Sequence, residues 1–254
     1  MSLQRILILV ALLLVVTILI VAASRSQKTG PPAQQNAKVV NNTKGLQVIS
    51  AVHNGGELYI AFRNDYEKNV MAYVISISNS QSREQYTEEF AYSGFVDAGI
   101  PPHSTYEKRI PFVESNERIN IEAVFLDGGS ADGNAAVIQD TKDDRLAARI
   151  QIERTLKLLD NHLKLPGPKT NAEMGKLKSE IVSELEAPEA DSLAALKQLE
   201  PARYGNSLSE HTRNALGEGK QRVLGEFHDV EAAQDAREEL LKLKEHYGRV
   251  LRRL

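Results

Sequence analysis

The chain carries an apolar segment near its N-terminus, ILILVALLLVVTILIVAA at residues 6–23, in which Thr17 is the only polar residue. Its eighteen residues would extend about 27 Å as a helix, close to the ~30 Å hydrocarbon core of a bilayer. A helix on the surface of a soluble protein carries a polar face, and this segment has none. The segment therefore predicts an N-terminal transmembrane helix or a secretion signal within residues 1–23.

This segment has two alternative interpretations, a membrane anchor and a cleavable signal. Its length favours a single-pass anchor that contacts the membrane through residues 6–23, because cleavable signals have shorter apolar regions of about 7–15 residues. The small residues Val21, Ala22 and Ala23 would instead permit cleavage and release a secreted or periplasmic protein. The absence of cysteine from all 254 residues suits an exported chain. We therefore expect the bulk of the protein to lie outside the cytoplasm.

The composition changes twice after this segment. Residues 24–45 are rich in Gln, Asn, Pro, Gly and Lys, which predicts a flexible linker. Residues 46–139 hold several short runs of alternating or continuous apolar residues, separated by turn signals such as Asn54-Gly55-Gly56. Six or seven short strands predict an antiparallel β-sandwich of immunoglobulin-like size.

Charge and aromatic content narrow what this sandwich could bind. Residues 46–139 contain six Lys or Arg against thirteen Asp or Glu. A domain with this excess of negative charge is not expected to bind nucleic acid. Eleven of the fourteen aromatic residues also lie in this range. Core packing and cross-strand pairing explain them best, and a glycan-stacking surface is the alternative.

Residues 140–254 have the apolar spacing of helices and predict an α-helical bundle. Thr141 and the acids after it resemble a helix start, and Thr170 with Glu173 forms a capping box that opens a second helix. Pro188 and Pro201 end shorter segments. From about residue 220 to residue 254 no proline interrupts helical character, so the pattern predicts one long last helix.

One apolar edge of that last helix is the candidate interaction surface. Its members are spaced three and four residues apart and comprise Leu240, Leu243, Tyr247, Val250 and Leu254. The spacing is that of a heptad repeat, but it spans only two repeats. We expect the chain's own helices to cover this edge. A protein partner or self-association through the C-terminal helix is the alternative.

The sequence offers no catalytic, cofactor-binding or metal-ligating motif. Asp127 to Asn134 resembles a nucleophile elbow around Ser130, but Asp132 stands where that motif needs glycine. The same loop lacks the third-position and twelfth-position ligands of a calcium loop. We predict no catalytic residue, no metal and no cofactor. A cell-envelope hydrolase that uses residues 127–134 is the alternative.

A resemblance supports the same setting. The stretches FAYSG, IPPHSTYEKRIP, IEAVFLDGGSADGN and DDRLAARIQIERTLKLL, within residues 86–159, resemble a group of uncharacterised bacterial proteins. The members of that group have a signal or anchor, a small β-domain and a helical tail. The resemblance implies a bacterial cell-envelope setting and carries no activity or site residues.

Together these patterns predict an α+β chain of several domains. We expect a transmembrane helix, a linker, an antiparallel β-sandwich and a C-terminal helical bundle with a long last helix. The predicted function is a membrane-anchored binding or assembly module outside the cytoplasm, without catalytic activity. A hydrolase and a glycan-binding sandwich are the alternatives.

Overall fold

The computed structural model describes residues 35–54, 56–78, 82–93, 99–111, 118–164, 170–231, 233 and 235–254. Within these residues, nine strands precede five α-helices. The strands are β1 (Gln35–Asn36), β2 (Lys38–Asn41), β3 (Leu46–Asn54), β4 (Glu57–Asn64), β5 (Val70–Ser78), β6 (Arg83–Glu89), β7 (Thr105–Pro111), β8 (Arg118–Leu126) and β9 (Ala131–Gly133). The helices are α1 (Ala135–Leu163), α2 (Asn171–Leu185), α3 (Glu189–Leu199), α4 (Glu210–Glu231) and α5 (Ala236–Arg253). A single 3₁₀ turn, Phe90–Tyr92, follows β6.

The strands form two sheets that pack face to face as a sandwich. The first sheet has the order β1-β3-β4-β7, and the second has the order β2-β8-β5-β6 with β9 beside β8. Side chains from both sheets share one core, since Leu58, Ile60 and Phe62 of β4 pack in the same buried cluster as Tyr73 and Ile75 of β5. In these strand orders, β6 and β7 each lie at one end of their sheet.

The burial of each strand explains its sequence pattern. Strand β4 alternates buried Leu58, Ile60 and Phe62 with outward Tyr59 and Arg63, because only one of its faces is covered. Strand β5 is buried at every position except its last. Its reverse face contacts the start of α1, so both of its faces are apolar and it reads as a continuous apolar run.

Helix α1 joins the sandwich to the helical bundle. Near its start Val137 packs on Phe125 of the second sheet, and further along Ile152 and Leu159 lie in the core of the bundle. The Asn134 side chain caps the helix by accepting a hydrogen bond from the Ala136 N–H. One helix therefore packs on the outer face of the second sheet and also contributes to the core of the bundle.

The start of α1 differs from the prediction at Thr141. The helix begins at Ala135, six residues earlier, because Asn134 supplies the cap. Gly133, with a φ of 124°, brings the backbone close to β8, where an added Cβ would lie 2.3 Å from the Glu122 carbonyl oxygen. Thr141 is therefore an interior residue of α1.

The predicted fold class needs correction at the membrane segment. The expectation was a chain with an N-terminal transmembrane helix. In the part of the chain that the structure describes, no helix is both long enough and apolar enough to cross a bilayer. Residues 6–23 lie outside the described residues.

A second correction concerns the sandwich and the linker. Strand β2 pairs with β8 in parallel, from Lys38 opposite Arg118 to Asn41 opposite Ile121, so the sandwich is not purely antiparallel. Residues 35–45 were predicted as linker, yet they include β1 and β2. The physical reason is burial, because Ala37 and Val39 pack against the core of the sandwich. These two contacts and the backbone pairing of β1 with β3 and of β2 with β8 bring a polar segment into the sheets.

A third correction concerns the long last helix. The structure divides it into α4, which ends at Glu231, and α5, which begins at Ala236. Asp235 caps the new helix, since its side chain accepts a hydrogen bond of 3.0 Å from the Glu238 N–H. The break lets α5 turn back and pack on the bundle.

Candidate functional site

The predicted apolar edge of the C-terminal helix lies inside the bundle. Leu240, Leu243, Tyr247 and Val250 are buried, and the partly exposed Leu254 packs beside them. The edge is covered by α1, α4 and the 3₁₀ turn of the same chain, through side chains that include Ile152, Leu159, Phe227 and Ala91. This edge is used for intramolecular packing.

The residues of the 127–134 loop have structural contacts. The Asp132 carboxylate accepts hydrogen bonds from the Lys44 N–H at 2.6 Å and from the Tyr66 hydroxyl at 2.5 Å. Asn134 caps α1. Within the described residues, the Ser130 hydroxyl has no hydrogen bond to a histidine, lysine or carboxylate that could act as a base. The loop thus connects β8 to α1 and fixes it to the preceding strands.

Two other kinds of site concern a metal ion, for which the sequence predicted no ligands, and a glycan, which was the alternative for the aromatic residues. Among the described residues, no group of three or more His, Cys, Asp or Glu side chains is arranged to hold a metal ion. The exposed tyrosines lie on different sheets, with Tyr59 on the outer face of β4 and Tyr86 on β6. A coplanar pair of tyrosines on one sheet face would be needed to stack on a glycan, and the described strands do not contain one.

The cleft between β6 and β7 is the candidate functional site. These strands end their respective sheets, and the sandwich is open between them. The cleft has a volume of about 270 Å³ and a mostly apolar lining. It is lined by Tyr73, Ile75, Tyr86, Thr87, Glu88, Lys108, Arg109, Ile110 and Pro111. We call this feature the edge cleft.

The floor of the edge cleft contains a buried polar group. Tyr73 is 1% exposed, and its hydroxyl lies near the Tyr106 hydroxyl without forming a hydrogen bond of good geometry within the described residues. Burial raises the pKa of Tyr73, and the charge of Glu88 raises it further. The ring packs against Phe62, with a centroid distance of 5.0 Å, and against Tyr106, at 6.3 Å. The hydroxyl is thus held by a rigid aromatic cluster. An unpaired buried hydroxyl of this kind costs about 1–3 kcal/mol.

The mouth of the edge cleft is crossed by an ion pair between Lys108 of β7 and Glu88 of β6. Both residues occupy inward-facing positions, since Lys108 stands opposite Ile60 and Glu88 stands opposite Tyr73. Inward-pointing charges on edge strands oppose uncontrolled pairing with other chains. Here the two charges neutralise each other across the gap between the sheets. The pair therefore restricts access to the cleft without leaving a buried charge alone.

Both strands also present free backbone edges. Within the described residues, β6 pairs only with β5 and β7 pairs only with β4. Each strand has seven residues, and in β6 the first five are exposed. Half of the N–H and C=O groups of an edge strand point away from its sheet and can hydrogen-bond to an added strand. The apolar cleft is thus bordered by two rows of available backbone groups.

The sequence contains only part of the signal for this site. The low apolar content of REQYTEE in β6 is typical of an edge strand. Nothing in the spacing of Glu88 and Lys108, twenty residues apart, predicts that they meet. Their contact depends on how the two sheets pack.

Compared with protein-family models, curated proteins and solved structures, the chain matches none of them.

Proposed function

We propose that this protein is a non-catalytic binding module whose ligand is an extended polypeptide segment that enters the edge cleft. The single observation that carries the proposal is the juxtaposition of two free strand edges around an apolar gap. An extended segment supplies what both parts of this site need. Its backbone would extend one or both sheets, and its alternate side chains would fill the gap.

The lining of the cleft supports an apolar side chain at its centre. Ile75 and Ile110 are 1% and 3% exposed and form its walls together with the Tyr73 ring. Burying one large apolar side chain there would contribute about 1.5–3 kcal/mol. The Tyr73 hydroxyl would donate a hydrogen bond to a peptide carbonyl or to an acceptor at the tip of that side chain.

The ion pair at the mouth supports selectivity for a particular segment. Entry requires the Glu88 and Lys108 side chains to separate or to swing outward, and they are only 27% and 35% exposed. A ligand that offers no replacement contacts leaves two partly buried charges unpaired, which is unfavourable. A segment that carries a polar residue next to the apolar side chain in the cleft would supply replacement contacts for both Glu88 and Lys108.

Site-specific photocrosslinking tests this proposal in cells that express the full chain. A photoreactive phenylalanine analogue replaces Tyr86 at the rim of the cleft, and in a matched control it replaces Tyr59 on the outer face of the first sheet. The two tyrosines are 37% and 43% exposed and both lie in strands. We expect the probe at position 86 to attach to one defined peptide segment, identified by mass spectrometry. The probe at position 59 should not attach to that segment.

The proposal fails if both positions capture the same segments, because capture would then reflect exposure alone. It also fails if the segment captured at position 86 binds equally well to the variant Glu88→Lys. That variant places two cations at the mouth and changes the cleft directly. Glu107→Lys on the outer face of β7 is its matched control, since Glu107 is exposed and lies outside the lining of the cleft.

We also propose that the bulk of the chain acts outside the cytoplasm. It would be attached to the membrane through residues 6–23 or released after cleavage near Ala23. The support is the apolar segment together with the cysteine-free remainder. Protease added to intact spheroplasts should degrade residues 46–254, and protection until lysis would contradict this location.

A further inference from the structure

The helical bundle contacts the end of β6, one of the two strands that border the edge cleft. Strand β6 runs directly into the 3₁₀ turn Phe90–Tyr92, and two consecutive residues of this turn belong to different cores. Phe90 packs against the core of the sandwich, whereas Ala91 is 0% exposed and lies in the core of the bundle. The end of β6 is therefore held by both units of the protein.

A side chain from the last helix binds the backbone of this turn. Arg253, the last residue of α5, donates hydrogen bonds from Nη1 to the carbonyl oxygens of Ser93 at 2.8 Å and of Ala91 at 3.5 Å. Backbone carbonyl groups that leave solvent need such donors, and hydrogen bonds from a charged donor are the stronger ones. The end of α5 therefore holds the residues that follow β6.

Arg145 of α1 joins the same two points. Its Nη2 donates a hydrogen bond to the Arg253 carbonyl oxygen at 2.9 Å, and its Nε lies 3.1 Å from the carboxylate of Glu89, the last residue of β6. Water screens this ion pair only weakly, because the Arg145 and Glu89 side chains are 10% and 13% exposed. The Glu89 carboxylate also accepts a hydrogen bond from the Ala91 N–H at 3.2 Å. We call Glu89, Arg145 and Arg253 the β6 clamp.

The β6 clamp acts on residues that reach the edge cleft. Phe90 lies edge to face against the Tyr106 ring, with a centroid distance of 5.4 Å, and against the Tyr73 ring at 6.1 Å. Tyr73 forms the floor of the cleft, and Glu88, the residue before the clamp, pairs with Lys108 at its mouth. In a close-packed core, a shift of the turn would displace Phe90 and Glu88 together.

We propose that Arg253 is a positioning residue for the edge cleft, which it shapes from the helical bundle without contacting a ligand there. The effect of Arg253 on binding rests on the proposed function, whereas its effect on β6 rests on the contacts of the clamp alone. Loss of the Arg253 side chain would remove the donor from two carbonyl groups of the turn and loosen the end of β6. The bundle thereby takes part in forming the binding site.

Amide hydrogen–deuterium exchange of the full chain without ligand tests this positioning. We expect exchange within residues 86–93 to be about tenfold faster in Arg253→Met, because the variant loses hydrogen bonds from a charged donor. Arg253→Lys keeps the charge and one donor, so it should be intermediate. Arg252→Met is the matched control, because Arg252 is exposed in the same helical turn and removes the same charge. Equal exchange in Arg253→Met and Arg252→Met, or acceleration spread evenly over all strands, would overturn the inference.

The effect on binding is measured separately, with a synthetic peptide of the segment that crosslinks at position 86. Arg253→Met should bind this peptide about tenfold more weakly than Arg252→Met does. Equal affinities, despite faster exchange in β6, would overturn the role of Arg253 in the cleft. If the wild type captures no segment at position 86, the proposed function fails, and the exchange data still decide whether Arg253 positions β6.

Discussion

Two adjacent leucines at the start of α5 give the sharpest test of how the bundle is held together. Leu240 is 0% exposed and lies in the bundle core with Phe227, Tyr247 and Val250, whereas Leu241 is 42% exposed. Replacing either one by alanine changes helix propensity equally. Any difference between the variants therefore measures burial alone.

We expect Leu240→Ala to lower the free energy of unfolding by about 2–5 kcal/mol, because it removes buried methyl groups and leaves a cavity. In a chain of this size that loss corresponds to a decrease in Tm of about 4–20 °C. Leu241→Ala should change stability by no more than about 0.5 kcal/mol. Urea unfolding followed by circular dichroism measures both values.

Sedimentation of the same two variants separates intramolecular from intermolecular packing. If the account is right, Leu240→Ala is less stable and its oligomeric state is unchanged. Equal stability losses in the two variants would refute the reasoning. So would an oligomer that Leu240→Ala dissociates into folded monomers, because the apolar edge would then pack on another chain.

Three further predictions address single contacts. His53→Leu should be neutral or stabilising by up to about 1 kcal/mol in urea unfolding, because His53 is 5% exposed and neither ring nitrogen has a partner within the described residues; a clear loss would show a partner for the ring. Asp235→Ala should cost about 0.5–2 kcal/mol by removing the cap of α5, and Asp235→Asn should restore most of it. Burial and the hydrogen bond to Asp132 raise the pKa of Tyr66 to about 12 from an ordinary 10.0, so its contribution to stability is complete below pH 10 and is lost between pH 10 and 12. Tyr66→Phe should lose less stability over that range, and identical pH profiles would contradict the shift.

The parts of the fold that local physics determines could be predicted from the sequence. The capping box of Thr170 and Glu173 opens α2 as expected, because both of its hydrogen bonds lie within four consecutive residues. Strands β4 and β5 follow directly from the alternating and the continuous burial of their side chains. These signals need no knowledge of distant partners.

The predictions that failed concern contacts between residues that are distant in the sequence. The parallel pairing of β2 with β8 joins residues about eighty positions apart, and the polar sequence around Val39 gives no sign of it. The break between α4 and α5 lacks proline, and it was recognisable only through Asp235 as a cap. The edge cleft was missed for the same reason, since Tyr73, Glu88 and Lys108 come from three strands in two sheets.

The central claim is that an extended polypeptide pairs with the free edges around the edge cleft. The most direct measurement is amide hydrogen–deuterium exchange of the full chain, with and without a synthetic peptide of the segment crosslinked at position 86. We predict slower exchange within β6 and β7, because the N–H groups that point away from the edge of each sheet would gain hydrogen-bond partners. Exchange in β3 and α4 should change little. Unchanged exchange in β6 and β7 at saturating peptide, or protection confined to the outer face of the first sheet or to the bundle, would contradict it.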